Sequence, residues 1–159
     1  MAKRIVRKKG PVVAKKVMYD GITFASGLEK YMYQALKEAG IDFKYEGYTY
    51  ELVPAFIFPN NCVERQSNSK GDFINRGNKK VLNLKYTPDF VGIDFIIETK
   101  GRANDSFPLR WKLFKKWMCD NNDTRTLYKP QNQPECKETI HLILLERSEK
   151  QQKDTLKDK

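Results

Sequence analysis

The residues best suited to chemistry in this chain are two carboxylates and a lysine near its middle. Asp89 lies in the run Thr-Pro-Asp-Phe, and Glu98 and Lys100 lie in the run Ile-Glu-Thr-Lys-Gly shortly after it. Along a strand, Glu98 and Lys100 would share one face, and Ile97 and Thr99 the other. Carboxylate oxygens are hard ligands that can hold magnesium, and a lysine ammonium can orient a water or help to deprotonate it. This combination predicts metal-dependent hydrolysis of a phosphodiester.

A β-hairpin is the element predicted to bring these residues together. The run from Ile93 to Thr99 is rich in β-branched side chains and has the length of a strand, and Gly92 in front of it is a turn signal. A bend near Gly92 folds Asp89 back beside Glu98. The alternative is that Asp89 is an ordinary turn residue and that Glu98 and Lys100 form an ion pair that contributes little. We favour a functional site, because a buried strand has no structural need for a glutamate beside a lysine.

A third acid, Glu29, stands at the start of a predicted helix over residues 26–39. Apolar residues recur there at helical spacing, and Gly40 closes the segment. Ser26, three positions before Glu29, completes a capping box, which gives Glu29 an ordinary structural role. The alternative is that Glu29 joins the other carboxylates from a helix packed over the sheet. The local sequence fits both interpretations.

Phe24–Glu29, Gly40–Glu46 and the motif pair around Asp89 and Lys100 resemble, in order and spacing, the PD-(D/E)xK nuclease superfamily. Within it they are similar to the phage endonuclease I family of Holliday-junction resolvases. The likeness spans about residues 20–118 and is specific at the motifs. It implies an α/β fold with a restriction-endonuclease-like core, in which helices flank a central mixed β-sheet. It also implies a magnesium cofactor, for which manganese substitutes.

The same resemblance assigns roles to individual residues. It implies that the catalytic residues are Glu29, Asp89, Glu98 and Lys100, and that the metal ligands are Asp89, Glu98, Glu29 and the backbone carbonyl of Thr99. The implied activity is that of a structure-selective DNA endonuclease, a Holliday-junction resolvase that acts as a homodimer on branched DNA. Two alternatives remain: a nicking or restriction-type endonuclease on duplex DNA, and a catalytically silent DNA-binding protein of the same fold.

The net charge of +10 is concentrated at the amino terminus. Residues 1–16 carry seven basic and no acidic residues, which leaves the body of the chain close to neutral. A short arm of one sign favours contact with phosphates, although a solubilising end has the same composition. The candidate DNA-binding residues of this arm are Lys3, Arg4, Arg7, Lys8 and Lys9.

A second basic surface is predicted on a helix over residues 107–119. Ser106 is its candidate N-cap, and Pro108 lies in its first turn. Its aromatic side chains fall on one side and are predicted to pack against the sheet. The other side is basic, and it is either a DNA-tracking surface or a solvated face. The candidate DNA contacts in this region are Arg102, Lys112, Lys115 and Lys116.

The remaining sequence predicts one nuclease domain over residues 17–146. A polar insertion is expected at about 59–80 and a charged, disordered tail at 147–159. Further strands are predicted near 41–46, 48–53, 81–86 and 139–145, the last one reached by a parallel crossover and carrying His141 as a structural residue.

The cysteine pattern and the hydropathy of the chain bear on location. Scattered cysteines of odd number are typical of a reducing cytoplasm, and their spacing does not support a zinc site. The sequence contains neither an apolar run long enough for a membrane span nor a signal-peptide segment. We therefore expect no membrane partner and a cytoplasmic location, in the infected host cell if the chain is phage-encoded.

Overall fold

The computed structural model describes residues 15–65, 70–101 and 106–157. These residues form three helices and twelve short strands. In chain order they are β1 (Val17–Tyr19), β2 (Ile22–Phe24), α1 (Gly27–Glu38), β3 (Lys44–Tyr45), β4 (Tyr50–Val53), β5 (Phe56–Phe58), β6 (Val63–Glu64), β7 (Ile74–Asn75), β8 (Lys79–Val81), β9 (Leu84–Tyr86), β10 (Phe90–Val91), β11 (Phe95–Ile97), α2 (Phe107–Asp120), β12 (Thr126–Tyr128) and α3 (Gln133–Lys157).

A mixed four-stranded sheet lies at the centre, with the strand order β12–β11–β10–β3. Strand β10 is antiparallel to both of its neighbours, whereas β11 and β12 are parallel. Parallel neighbours need a crossover, and α2 provides it between β11 and β12. The mixed α/β class and the crossover beside β11 are therefore confirmed, but the partner strand is β12 and not residues 139–145.

Helices cover both faces of this sheet. Phe90, Phe95 and Ile97 belong to a core that also contains buried residues of α1 and α3. Val91 and Ile96 belong to a second core on the other face, with buried residues of α2, β4 and β9. Since both faces are covered, the short strands are apolar without alternation. The aromatic side of α2 is part of the second core, as the sequence predicts.

Helix α1 begins and ends where the sequence predicts. Ser26 is the N-cap, and its hydroxyl accepts a hydrogen bond from the backbone N–H of Glu29. At the other end Gly40 has φ of +65°. The N–H of Gly40 donates to the carbonyl of Lys37, and the N–H of Ile41 donates to that of Leu36. This pair of bonds is a Schellman motif, which glycine permits at little steric cost.

The predicted strand at 139–145 is wrong, because these residues lie in the middle of α3. Asn132 caps the helix by accepting from the N–H of Glu135, whose carboxylate bonds back to Asn132 and to the N–H of Gln131. Cys136 and Ile143, two turns apart, are buried against the first core. His141 is exposed on this helix rather than held in a sheet.

Helix α3 also continues into the predicted tail. It is helical through Lys157, so the segment from residue 147 onward, expected to be disordered, is helix in the structure up to that residue. Arg147 anchors this part, because its guanidinium donates to both carboxylate oxygens of Asp94 at 2.7 and 2.8 Å. The helix therefore runs without interruption across the predicted domain end at residue 146.

The predicted polar insertion at about 59–80 forms much of a two-stranded ribbon, which we call the ribbon (residues 50–65 and 70–86). It consists of the antiparallel pairs β4–β9, β5–β8 and β6–β7. Gly77 allows the two strands to meet closely, because a Cβ there would lie 1.9 Å from the carbonyl oxygen of Asn60. The side chain of Asn75 bonds to the backbone of Cys62 and to Asn61 across the ribbon. Backbone pairing therefore orders a segment whose sequence lacks clear periodicity.

In the described part of the chain, no helix is both long enough and apolar enough to cross a membrane.

Candidate active site

The β10–β11 hairpin brings Asp89 beside Glu98. Phe90 is the register partner of Ile97, and the residues just outside this pair are the two acids. The turn depends on Gly92, whose N–H donates to the carbonyl of Phe95 at 2.9 Å. A Cβ at Gly92 would lie 2.3 Å from the buried Phe95 ring, so a larger residue would displace that ring. The predicted hairpin is confirmed, and the fit of glycine against an aromatic ring explains its turn.

Asp89 is fixed by Thr99. The backbone N–H of Thr99 donates to Oδ2 of Asp89 at 2.7 Å, and the Thr99 hydroxyl donates to the same oxygen at 2.5 Å. Thr99 follows strand β11, which ends at Ile97, and it contacts Asp89, whereas Glu98 and Lys100 contact each other. Oδ1 of Asp89 takes no part in these two bonds.

Glu98 is held between a tyrosine and the lysine. The Tyr86 hydroxyl donates to Oε2 at 2.8 Å, and Nζ of Lys100 lies 3.5 Å from Oε1. The Glu98 residue is only 4% exposed, whereas the Lys100 side chain is 30% exposed. Nζ of Lys100 also lies 5.0 Å from the centre of the Phe107 ring. Glu98 and Lys100 thus share one side of the segment, as predicted, with the lysine nearer to solvent.

Glu29 makes the capping contacts and also faces the same cleft. Its carboxylate accepts from the Ser26 hydroxyl, from the N–H of Ala25 and from the Tyr45 hydroxyl, each at 2.9 Å. The residue is 8% exposed. A cleft of about 370 Å³ is lined by all four predicted catalytic residues, Glu29, Asp89, Glu98 and Lys100. The two interpretations of Glu29 are therefore compatible, since its carboxylate holds the N-cap Ser26 and the N–H of Ala25 before the helix and also borders the cleft.

The electrostatics of the cleft oppose full ionisation of Asp89 and Glu98. Burial, and then the neighbouring Glu98 carboxylate, raise the pKa of Asp89 to about 8. Burial likewise raises the pKa of Glu98, against the lowering effects of Tyr86 and Lys100. Burial and the adjacent carboxylates raise the pKa values of Tyr86 and Tyr45, which keeps both phenols protonated as donors. A bound cation would relieve this repulsion.

The donor set fits a hard divalent cation. Carboxylate oxygens of Asp89, Glu98 and Glu29 are ligands of the type magnesium prefers, and like charges close together favour a cation between them. In the described residues, however, no three ligating side chains already lie in a metal-holding arrangement. Glu29 would have to turn away from part of its present hydrogen-bond set to become a ligand.

Some predicted DNA contacts can be placed on the fold. Lys112, Lys115 and Lys116 are exposed on α2, where Lys116 pairs with Asp120 and Lys115 lies over the Trp111 ring. They do not line the cleft. The remaining candidates, Lys3, Arg4, Arg7, Lys8, Lys9 and Arg102, lie outside the described residues.

Two basic residues that the sequence did not single out do line the cleft. Lys85 belongs to β9, immediately before Tyr86, and Arg110 lies in the first turns of α2, one turn after Phe107. Arg110 could have been found in the sequence from its place near the start of the helix that follows the motif strand. Lys85 could have been found from its place just before the Thr-Pro-Asp run.

The fold and the site define a mixed α/β domain with buried carboxylates and a lysine at the end of a sheet hairpin. Residues 9–130 match the model of a family described as "Protein of unknown function (DUF1064)". The chain belongs to this family. Neither the curated proteins nor the solved structures contain a match to the chain.

Proposed function

We propose that this protein is a magnesium-dependent DNA endonuclease with a restriction-endonuclease-like core. The observation that carries the proposal is the joint placement of Asp89, Glu98 and Lys100 in one cleft at the end of a hairpin. The buried Glu98 and the partly buried Asp89, both with raised pKa values, are costly for the fold unless a ligand offsets the cost. The surrounding elements, α1 on one face and the α2 crossover on the other, support the proposed core.

The chain's residues have distinct roles in the proposed reaction. Asp89 and Glu98, with Glu29 and the carbonyl of Thr99, would hold the magnesium ion, and manganese would substitute for it. The bound ion would acidify a water and stabilise charge on the leaving oxygen. Lys100, beside Glu98 and partly exposed, positions the nucleophile and supports the negative charge of the phosphate. Tyr86 and Thr99 fix Glu98 and Asp89, and this limits their reorganisation.

The proposed substrate is branched DNA, above all the four-way junction, as the resemblance to phage resolvases implies. Paired cuts at a junction require two active sites, so we propose a homodimer. The ribbon is the proposed contact surface for a second copy of the chain, because several of its large apolar side chains are exposed to solvent. They are Phe56, Ile57, Val63, Phe73, Ile74, Val81 and Leu82. Sedimentation of the protein alone and with junction DNA tests the proposed homodimer. A protein that remains monomeric when bound to DNA would contradict junction resolution.

The first experiment compares the protein with its Asp89→Asn variant on labelled DNAs in magnesium. The substrates are a four-way junction, a flap and a linear duplex of matched sequence. Symmetric paired cuts near the junction centre, absent in the variant, are expected for a resolvase. Faster cutting of linear duplex would instead identify a nicking or restriction-type nuclease. Tight binding without cleavage in magnesium or manganese would identify a catalytically silent DNA-binding protein.

A further inference from the structure

The cleft has basic residues on two of its sides. Lys85 projects from β9 at the base of the ribbon, and Arg110 projects from α2. Both residues are exposed. Lys85 is the register partner of Glu51, yet the Glu51 carboxylate accepts a hydrogen bond from Asn83 instead. Within residues 15–65, 70–101 and 106–157, neither Lys85 nor Arg110 takes part in an ion pair.

Their position relative to the acids distinguishes them from ordinary surface cations. The carboxylates of Asp89, Glu98 and Glu29 line the same cleft as Lys85 and Arg110. A cation beside an acidic cluster often pairs with one of its acids, but in the described residues Lys85 and Arg110 form no ion pair with Asp89, Glu98 or Glu29. A ligand that carries several phosphates can contact both the metal-binding carboxylates and the basic side chains. One phosphate can lie at the metal-binding acids while its neighbours contact the basic residues.

We propose that Lys85 and Arg110 bind the backbone phosphates on either side of the bond to be cut. A single DNA strand then crosses the cleft between the base of the ribbon and the start of α2. This inference rests on the proposed nuclease function and adds to it the path of the substrate. Phosphate contacts position a strand without reading its sequence, so both residues act on all sequences alike.

The outer lysines of α2 are a different surface. Lys112, Lys115 and Lys116 are exposed but do not line the cleft, and Lys116 is already paired with Asp120. They can contribute to long-range attraction of DNA, but they do not reach the phosphates nearest to the acids. The contacts to the phosphates on either side of the reacting one are therefore assigned to Lys85 of the ribbon and Arg110 of α2.

The test measures binding of a fluorescently labelled four-way junction by anisotropy in magnesium, over a range of salt concentrations. Asp89→Asn serves as the background, because it prevents cleavage during the measurement. Lys85→Gln and Arg110→Gln are added to it singly, and Lys137→Gln is the matched control. Lys137 is an exposed lysine of α3 that does not line the cleft. Thermal unfolding of each variant shows that its fold is intact.

Each cleft substitution is expected to lower the slope of log K against log salt by about 0.9, the value for one lost phosphate contact. If a cleft variant and the Asp89→Asn background bind the junction equally tightly at 1 M salt, the variant should bind about eightfold more weakly at 0.1 M salt. Lys85→Arg and Arg110→Lys, which keep the charge, should restore the slope. A merely structural role would change stability and leave the slope unaltered. The Lys137→Gln control should match the background.

The outcomes separate this inference from the proposed function. An unchanged slope for either Lys85→Gln or Arg110→Gln would overturn the assignment of phosphates to both sides of the cleft, even if the unsubstituted protein cuts DNA. Reduced slopes without cleavage by the unsubstituted protein would sustain the phosphate contacts of Lys85 and Arg110 but overturn the nuclease proposal, and with it the place of these contacts beside a bond to be cut. A slope reduced equally by Lys137→Gln would also overturn the assignment, since any surface lysine would then have the same effect. Absence of DNA binding would overturn both.

Discussion

Replacement of Asp89 by asparagine should stabilise the metal-free protein at alkaline pH while it abolishes cleavage. In the fold, burial and the Glu98 carboxylate raise the pKa of Asp89 from 3.8 to about 8. A carboxyl whose pKa is raised by folding contributes its full stability below pH 4, and this contribution is lost as the pH rises through 8. Asparagine stays neutral throughout, and its amide oxygen can still accept both hydrogen bonds from Thr99.

The magnitude follows from the size of the shift. A rise of about four pH units at about 1.36 kcal/mol per unit gives an upper limit of about 5 kcal/mol. Because Asp89 is partly exposed and shares the repulsion with Glu98, we expect about 2–3 kcal/mol at pH 8. For a protein of this length, that is a rise in Tm of about 4–12 °C.

The assay is thermal unfolding in a chelator at pH 5 and pH 8, repeated with magnesium. We expect Asp89→Asn to be more stable than the unsubstituted protein at pH 8, with a smaller margin at pH 5 and no margin below pH 4. Magnesium should stabilise only the unsubstituted protein. Asp94→Asn is the matched control. Its bond to Arg147 lowers the pKa of Asp94, so the neutral variant should be less stable at pH 8.

Two results would refute this reasoning. One is an unsubstituted protein whose stability does not fall between pH 5 and pH 8 in the absence of metal. The other is an Asp89→Asn variant that melts at pH 8 at or below the temperature of the unsubstituted protein. Either result would mean that the acids of the cleft do not repel each other in a buried setting, and the electrostatic argument for a metal would fail.

Three further predictions concern single side chains. Lys100→Ala should abolish cleavage in a gel assay but leave junction binding largely intact; near-normal turnover would remove Lys100 from the catalytic set. Glu29→Gln should reduce cleavage and magnesium affinity, measured by calorimetry, with a loss of stability of about 1 kcal/mol or less; unchanged cleavage would leave Glu29 as a helix cap alone. Ile143→Ala should lower the free energy of unfolding, measured in urea, by about 2–5 kcal/mol, because the Ile143 side chain of α3 is buried in the first core. Leu144→Ala, at a residue that is 45% exposed, should cost much less, and equal losses would contradict the helical packing.

The sequence alone determined the local elements of the site. The glycine turn signal before a β-branched run predicted the hairpin, and the β10–β11 register confirms it. The capping box at Ser26 and the helical spacing after it predicted α1, because caps and periodicity are local properties. The proline after Ser106 and the aromatic side of the next helix predicted α2 in the same way.

The sequence misled where a local pattern fits two structures. The apolar run 139–145 contains β-branched residues and was predicted as a strand, yet it lies inside α3. Such a run is ambiguous by itself, and it is decided by its flanks. Asn132, Pro134 and Glu135 form a helix start that identifies the segment correctly. The parallel partner of β11 is instead β12, three residues long and without a strong pattern of its own.

Only the tertiary structure decided which distant side chains meet. Tyr86 and Glu98, Tyr45 and Glu29, and Asp94 and Arg147 are partners that no local spacing predicts, because each pair joins separate elements. The same holds for Lys85 and Arg110, which border the cleft from the ribbon and from α2. The chain specifies the acids and the lysine through short-range patterns. The burial of the acids, the raised pKa values of Asp89 and Glu98, and the basic residues around them arise from packing between elements far apart in sequence.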